Sequence, residues 1–119
     1  MKDLELLRLA ATAIGLPMSN EWDCAAEGKG IIIGHGNGDL RPWNPLENDG
    51  EAFQLAMKLD MTLHLDGRGI SAQAYFRTYK CLENLSASGP ECLQIEKPRV
   101  VRRQIVRVAA MIGEICHHA

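Results

Sequence analysis

The C-terminal part of the chain carries the pattern that most restricts the fold. Apolar residues recur there at spacings of four, three, four and three: Val101, Ile105, Val108, Ile112 and Ile115. At 100° per residue these positions fall within an arc of about 80°, and Pro98 suits the first turn of a helix. The pattern therefore predicts a long amphipathic helix whose apolar stripe must be covered by other elements.

Two further helices are predicted upstream. The first follows Asp3, which we interpret as its N-cap, and ends at Gly15. The second begins at Asn48, because Asn48 with Glu51 three residues later resembles a capping box, and it runs to about Leu59. Its predicted apolar stripe consists of Ala52, Phe53, Ala56, Met57 and Leu59.

The segments between the helices predict strands. Trp22–Ala26 and Ile31–Ile33 suggest one hairpin, after which residues 41–45 continue as an extended segment. Met61, Leu63 and Leu65 alternate with polar residues and predict a strand with one buried face, which turns at 66–69 into a second strand over Ile70–Phe76. Two short segments remain. Thr78–Leu85 has no clear pattern and is assigned to neither helix nor strand, whereas Cys92–Ile95 suggests a short edge strand.

The resulting order is helix, two strands, helix, two or three strands, helix. We predict an α+β fold in which three helices cover a small, mainly antiparallel sheet of four to five strands. A chain of 119 residues fits a single domain over 1–119, with a core that needs no metal or disulfide.

Charge is distributed unevenly along a chain whose formal net charge is -2. Residues 1–60 hold five basic and ten acidic residues, net -5, whereas residues 61–119 hold eight and five, net +3. No apolar run approaches the ~20 residues of a membrane span, and the start of the chain lacks the pattern of a signal peptide. We therefore expect no membrane partner and a cytoplasmic location, where the four cysteines stay reduced.

The loop Gly34–Asp39 is the first candidate site. Its glycines follow a β-branched run and would let backbone amides approach a phosphate, but no helix follows at once, so a mobile connection is the favoured interpretation. His35 with Asp39, or His64 with Asp66, would be the titratable pairs for acid–base catalysis. Since no catalytic motif accompanies them, we assign no catalytic residue, cofactor or metal ligand, and keep His35 only as a candidate binding residue.

Arginines on the outer face of the C-terminal helix are the second candidate. Residues 97–107 carry five positive charges and no acid: Lys97, Arg99, Arg102, Arg103 and Arg107. Arginine suits phosphate and carboxylate partners. Three alternatives remain open, namely a solvated or internally paired face, an acidic protein partner, and nucleic acid.

Trp43, between Pro42 and Asn44, is the third candidate. It either packs the loop onto the core, which we favour, or anchors a partner.

Three segments carry a family resemblance: Leu4–Ala11, Trp43–Ala52 with Leu55–Leu59, and Arg102–Gly113. Together they resemble the small phage and prophage proteins grouped as the phage ABA sandwich domain, over about a third of the chain. The resemblance implies an α/β/α sandwich encoded by a bacteriophage or prophage and made in the bacterial cytoplasm. It supplies no catalytic residues. We interpret Gly50 as a position where a larger residue would strike the sheet.

These observations favour a non-enzymatic binding protein that acts on a host or phage macromolecule. The alternative is a nucleic-acid-binding protein that uses the arginine face, and the third hypothesis is a small enzyme or nucleotide-binding domain that uses Gly34–Asp39. Val100 and Met111 widen the apolar face of the C-terminal helix. A homodimer with contacts at this helix or at a sheet edge is therefore also expected.

Overall fold

A computed structural model describes residues 2–16, 31–33, 41–66, 69–76, 79–86 and 97–118. In chain order the described elements are α1 (Asp3–Ala13), β1 (Ile31–Ile33), β2 (Arg41–Trp43), α2 (Asp49–Lys58), β3 (Thr62–Asp66), β4 (Gly69–Phe76), β5 (Tyr79–Ser86) and α3 (Lys97–His118). The predicted α+β class and the antiparallel pairing of the strands are confirmed. The predicted single sheet of four to five strands is not observed, because the described strands form one sheet of two strands and one of three.

Strands β3, β4 and β5 form an antiparallel sheet with β4 in the centre, and Leu63 lies opposite Ala72. The predicted hairpin is therefore present, and the segment without a clear pattern is strand β5. Strand β1 pairs with β2, which lies in the segment predicted only as extended. The other predicted arm of that hairpin, Trp22–Ala26, and the edge strand Cys92–Ile95 lie outside the described residues.

Helix α3 is the central element and has two buried faces. One face packs with α1, α2 and Trp43, and it consists of Ile105, Val106, Ala109 and Ala110. The other carries Val108 and Ile112, which pack on Ala72, Ala74 and Cys81 of the sheet. The layers are thus the sheet, then α3, then α1 with α2. Of the two residues that suggested a dimer contact, Met111 packs against the sheet-side cluster, whereas Val100 is half-buried and belongs to neither cluster.

Helices α1 and α3 cross very closely at Gly113. A Cβ atom at this position would lie 1.9 Å from the backbone oxygen of Leu9, so only glycine fits without moving a helix. Gly50 has a different setting, because a Cβ there would meet only the Asn48 side-chain oxygen, at 3.3 Å. The prediction that a side chain at Gly50 would strike the sheet is therefore wrong.

The start of α2 is capped as predicted, with one difference. Asn48 Oδ1 accepts a hydrogen bond from the Glu51 amide at 2.9 Å, which confirms the N-cap. The Glu51 carboxylate, however, accepts from the Asn44 amide at 2.8 Å. The Asp3 prediction is wrong, because Lys2 occupies the N-cap of α1 and Asp3 is its first helical residue. Asp3 instead pairs with an arginine of α3.

Helices α1 and α2 end in the same hydrogen-bonded motif. After α1 the Leu16 amide donates to the Ala11 carbonyl at 3.0 Å, and after α2 the Met61 amide donates to the Ala56 carbonyl at 2.9 Å. The motif requires a residue with left-handed backbone conformation, that is with positive φ, immediately before the residue whose amide donates this hydrogen bond. Gly15 supplies it after α1 with φ +70°, as predicted, whereas Asp60 supplies it after α2 with φ +51°.

Two of the four cysteines lie in the described part of the chain, and both are free thiols. Cys81 is buried on β5 against α3, and this burial raises the pKa of the Cys81 thiol. Cys116, near the end of α3, is only half-buried. The thiolate is the reactive form, so Cys81 is held in its unreactive state at neutral pH.

We expect iodoacetamide to modify Cys116 at least about tenfold faster than Cys81 in the folded protein, because Cys81 lacks both access and thiolate. Labelling should become equal in urea. Cys81 and Cys92 share a tryptic peptide, so fragment ions in the mass spectrum must assign the modified residue. Equal rates without urea would contradict the buried position of Cys81.

Candidate interaction surfaces

Arg102 of α3 is held by two distant parts of the chain. Its Nε donates to the Leu46 carbonyl at 2.9 Å, and its terminal nitrogen forms an ion pair with Asp49 at 2.6 Å. Only 16% of the Arg102 side chain is exposed, although the helical pattern places it on the outer face. The residue therefore ties the segment before α2, and the first turn of α2, to α3.

Of the other three arginines, two interact within the chain and one lies beside a cleft that two acids also line. Arg103 forms an ion pair with Asp3 of α1 at 3.1 Å. Arg99 is exposed and has an interaction within the chain. Arg107 is exposed beside a shallow cleft of about 220 Å³ that Glu83 and Glu114 also line. Of the three alternatives for this face, internal pairing is the one observed for Arg102 and Arg103.

This difference in burial predicts unequal effects on stability. Replacing Arg102 with alanine removes the donor to the Leu46 carbonyl, together with an ion pair whose arginine is 16% exposed and whose aspartate is 79% exposed. We expect the free energy of unfolding to fall by about 1–3 kcal/mol. Arg103→Ala removes an exposed pair and should cost about 0–1 kcal/mol. Urea unfolding followed by circular dichroism measures both values, and equal losses would contradict the tying role of Arg102.

Trp43 is buried in the core, with 3% of its surface exposed, beside the buried residues Pro45 and Leu46. The prediction that it packs the loop onto the core is confirmed, and it is not on the surface to anchor a partner. His35 and the loop Gly34–Asp39 lie outside the described residues. His64 is exposed on β3.

The apolar stripe of α2 differs from the predicted one. The buried residues are Ala52, Leu55 and Ala56, whereas Phe53 and Met57, which we predicted to face the core, are 60% and 55% exposed. The physical reason is geometric, because Phe53 and Met57 lie about 100° and 140° around the helix from Ala52. Helix α2 therefore has two apolar stripes, and the core covers only one.

Phe53 and Met57 line a groove between the end of α2 and the start of β3. We call it the α2–β3 groove; it has a volume of about 450 Å³ and is lined by Phe53, Ala56, Met57, Asp60, Met61 and Leu63. Asp60 is the one charged residue among these. Further along β3, Leu65 is 47% exposed, although it was predicted to face the core. The groove is thus an open, mainly apolar surface with an acid on its rim.

The described residues include no group of three or more histidine, cysteine or acidic side chains arranged to hold a metal ion. None of the helices in the described part of the chain combines the length and apolar content of a bilayer-spanning segment. The sequence patterns did not predict the α2–β3 groove. The sequence did contain a signal for this groove: Phe53 and Met57 are large apolar residues four positions apart, and they lie outside the buried stripe of α2.

No family model, curated protein or solved structure matches this chain.

Proposed function

We propose that this chain is a non-enzymatic protein-binding module and that the α2–β3 groove is its docking surface for another protein. The observation that carries this proposal is the pair Phe53 and Met57, one helical turn apart and more than half exposed beside an apolar groove. Aromatic and methionine side chains are enriched at protein interfaces, and methionine adapts its shape to a partner.

The energetics favour an occupied groove. Burying Phe53 and Met57 against a partner would contribute roughly 2–4 kcal/mol, since full burial of such a side chain contributes about 1.5–3 kcal/mol and each is already partly covered. The groove volume lies within the ~300–1,000 Å³ typical of ligand sites. A segment that inserts one or two apolar side chains would fit it.

The charges favour a protein over a nucleic acid. The acid on the groove rim repels phosphate, and Arg102 and Arg103 are already paired with Asp49 and Asp3. The resemblance to phage ABA sandwich proteins supports a narrower form of the proposal. In that form the chain is an accessory protein of a bacteriophage or prophage and binds a host or phage protein in the bacterial cytoplasm.

The test is a selection of short random peptides on the immobilised full chain, followed by fluorescence anisotropy of individual peptides. We expect the double variant Phe53→Ser/Met57→Gln to lower affinity at least about tenfold, which corresponds to 1.4 kcal/mol. These replacements have helix propensities close to the originals, so α2 should remain folded.

A matched control is available on the sheet. Tyr75 and Tyr79 are 60% and 56% exposed, and Tyr75→Thr/Tyr79→Thr should leave peptide affinity unchanged. A library that yields no binder, or binders that tolerate Phe53→Ser/Met57→Gln, would overturn the proposal. Duplex DNA binding that is lost in Arg99→Glu/Arg107→Glu would replace it with the nucleic-acid alternative. A dimer that becomes monomeric in Phe53→Ser/Met57→Gln would reassign the groove to self-association.

A further inference from the structure

Asp60 stands where the backbone favours glycine. The equivalent position after α1 is Gly15, and both residues have positive φ within the same motif. Left-handed backbone crowds the Cβ atom of an L-residue, so glycine is the usual choice there and aspartate is less favourable. The end of α2 therefore carries a side chain that the local backbone does not require.

The electrostatics at this position are also unfavourable. The last carbonyls of α2 carry partial negative charge, which attracts cations and repels a carboxylate. Asp60 is exposed, and no ion pair joins it to a side chain in the described part of the chain. Lys58 in the last turn of α2 does not line the α2–β3 groove, so the Asp60 carboxylate is the one charged group in its lining.

A negative rim beside an apolar groove is complementary to a cation beside an apolar side chain. Phe53 adds to this preference, since the face of an aromatic ring attracts lysine and arginine. We infer that the α2–β3 groove recognises segments of its partner that place a lysine or arginine next to an apolar anchor, and that Asp60 receives this cation. The inference rests on the proposed function of the groove.

The experiment uses peptides selected on the full chain and measures each against wild type and Asp60→Asn. Selected sequences should be enriched in lysine or arginine beside the apolar anchor. Changing that basic residue to glutamine should weaken binding to wild type by about 3–10-fold, and this loss should disappear in Asp60→Asn. Affinity for the basic peptide should also fall as salt rises.

Two further variants control for charge and for stability. Glu47→Gln removes an exposed acid at the opposite end of α2 and should leave affinity unchanged. Asp60→Gly should weaken binding as Asp60→Asn does, while it raises the thermal midpoint because the backbone strain is relieved. A lower thermal midpoint in Asp60→Gly than in wild type would indicate that Asp60 stabilises the fold, and would overturn the inference.

The failures of the inference and of the proposed function are distinguishable. If Phe53→Ser/Met57→Gln abolishes binding but Asp60→Asn leaves it unchanged, and selected peptides lack basic residues, the groove binds protein without selecting a cation. If peptides bind regardless of Phe53 and Met57, the proposed function fails and the inference fails with it.

Discussion

Replacing Gly113 with valine is expected to prevent stable folding. Even a Cβ atom at this position would lie 1.9 Å from the Leu9 carbonyl oxygen, and the atoms in the way belong to the backbone of α1. Helices α1 and α3 would have to separate, which would disrupt the core built from Leu7, Ala10, Ala109 and Ala110. Overpacking by a side chain typically costs about 1–3 kcal/mol and occasionally more. Here the obstacle is backbone and valine adds two methyl groups beyond the Cβ atom, so we expect the cost to approach the whole stability of a domain, about 5–15 kcal/mol.

Gly113→Ala should still fold in part, with a free energy of unfolding lowered by about 2–3 kcal/mol despite the higher helix propensity of alanine. Gly50→Ala is the matched control, because its Cβ would meet only the Asn48 side chain. We expect its stability to stay within about 1 kcal/mol of wild type. Urea unfolding followed by circular dichroism measures both variants. Equal stability of Gly113→Ala and wild type would show that α1 and α3 do not cross as closely as described.

Trp43→Ala is expected to lower the free energy of unfolding by about 3–5 kcal/mol. The indole is buried with Leu46 in the cluster that joins α1, α2 and α3, so its removal leaves a large cavity. Because proteins of this size are stable by only about 5–15 kcal/mol, the variant should be partly unfolded at moderate temperature. Circular dichroism is the appropriate signal, since the chain contains a second tryptophan.

Trp43→Phe provides the control, because it keeps an aromatic ring in the same space and should retain part of the lost stability. If Trp43→Ala unfolds at the same urea concentration as wild type, the indole is not part of the core. The alternative in which Trp43 anchors a partner would then be valid again.

The unequal charge of the two halves acts within the molecule. The acidic N-terminal half supplies Asp3 and Asp49, and the basic C-terminal half supplies Arg103 and Arg102, which pair with them. An arginine-rich helix face is therefore weak evidence for an external anion here. The helical period placed Arg102 on the outer face with the other arginines, yet its side chain is only 16% exposed. The sequence also left three alternatives for the partners of these arginines, since the partners of Arg102 and Arg103 lie more than 50 positions away.

The sequence by itself determined the features that depend on neighbouring residues. Four such features follow from residues a few positions apart, whose conformational preferences act locally: the end of α1 at Gly15, the Asn48 cap of α2, the β3–β4 hairpin and the start of α3 near Pro98. Even so, Glu51 bonded to Asn44 instead of closing the predicted capping box. Local sequence patterns therefore predict where a helix or strand begins and ends better than they predict its individual hydrogen bonds.

Only the tertiary structure decided which surfaces became buried. Helix α2 has two apolar stripes, and packing in the core covers Ala52 and Leu55 while Phe53 and Met57 remain exposed. Likewise, Gly113 and Gly50 are both helical glycines in the sequence, yet only the crossing of α1 and α3 makes one of them indispensable. The reason is that burial depends on which distant element approaches, and a helical period specifies a face without specifying its partner.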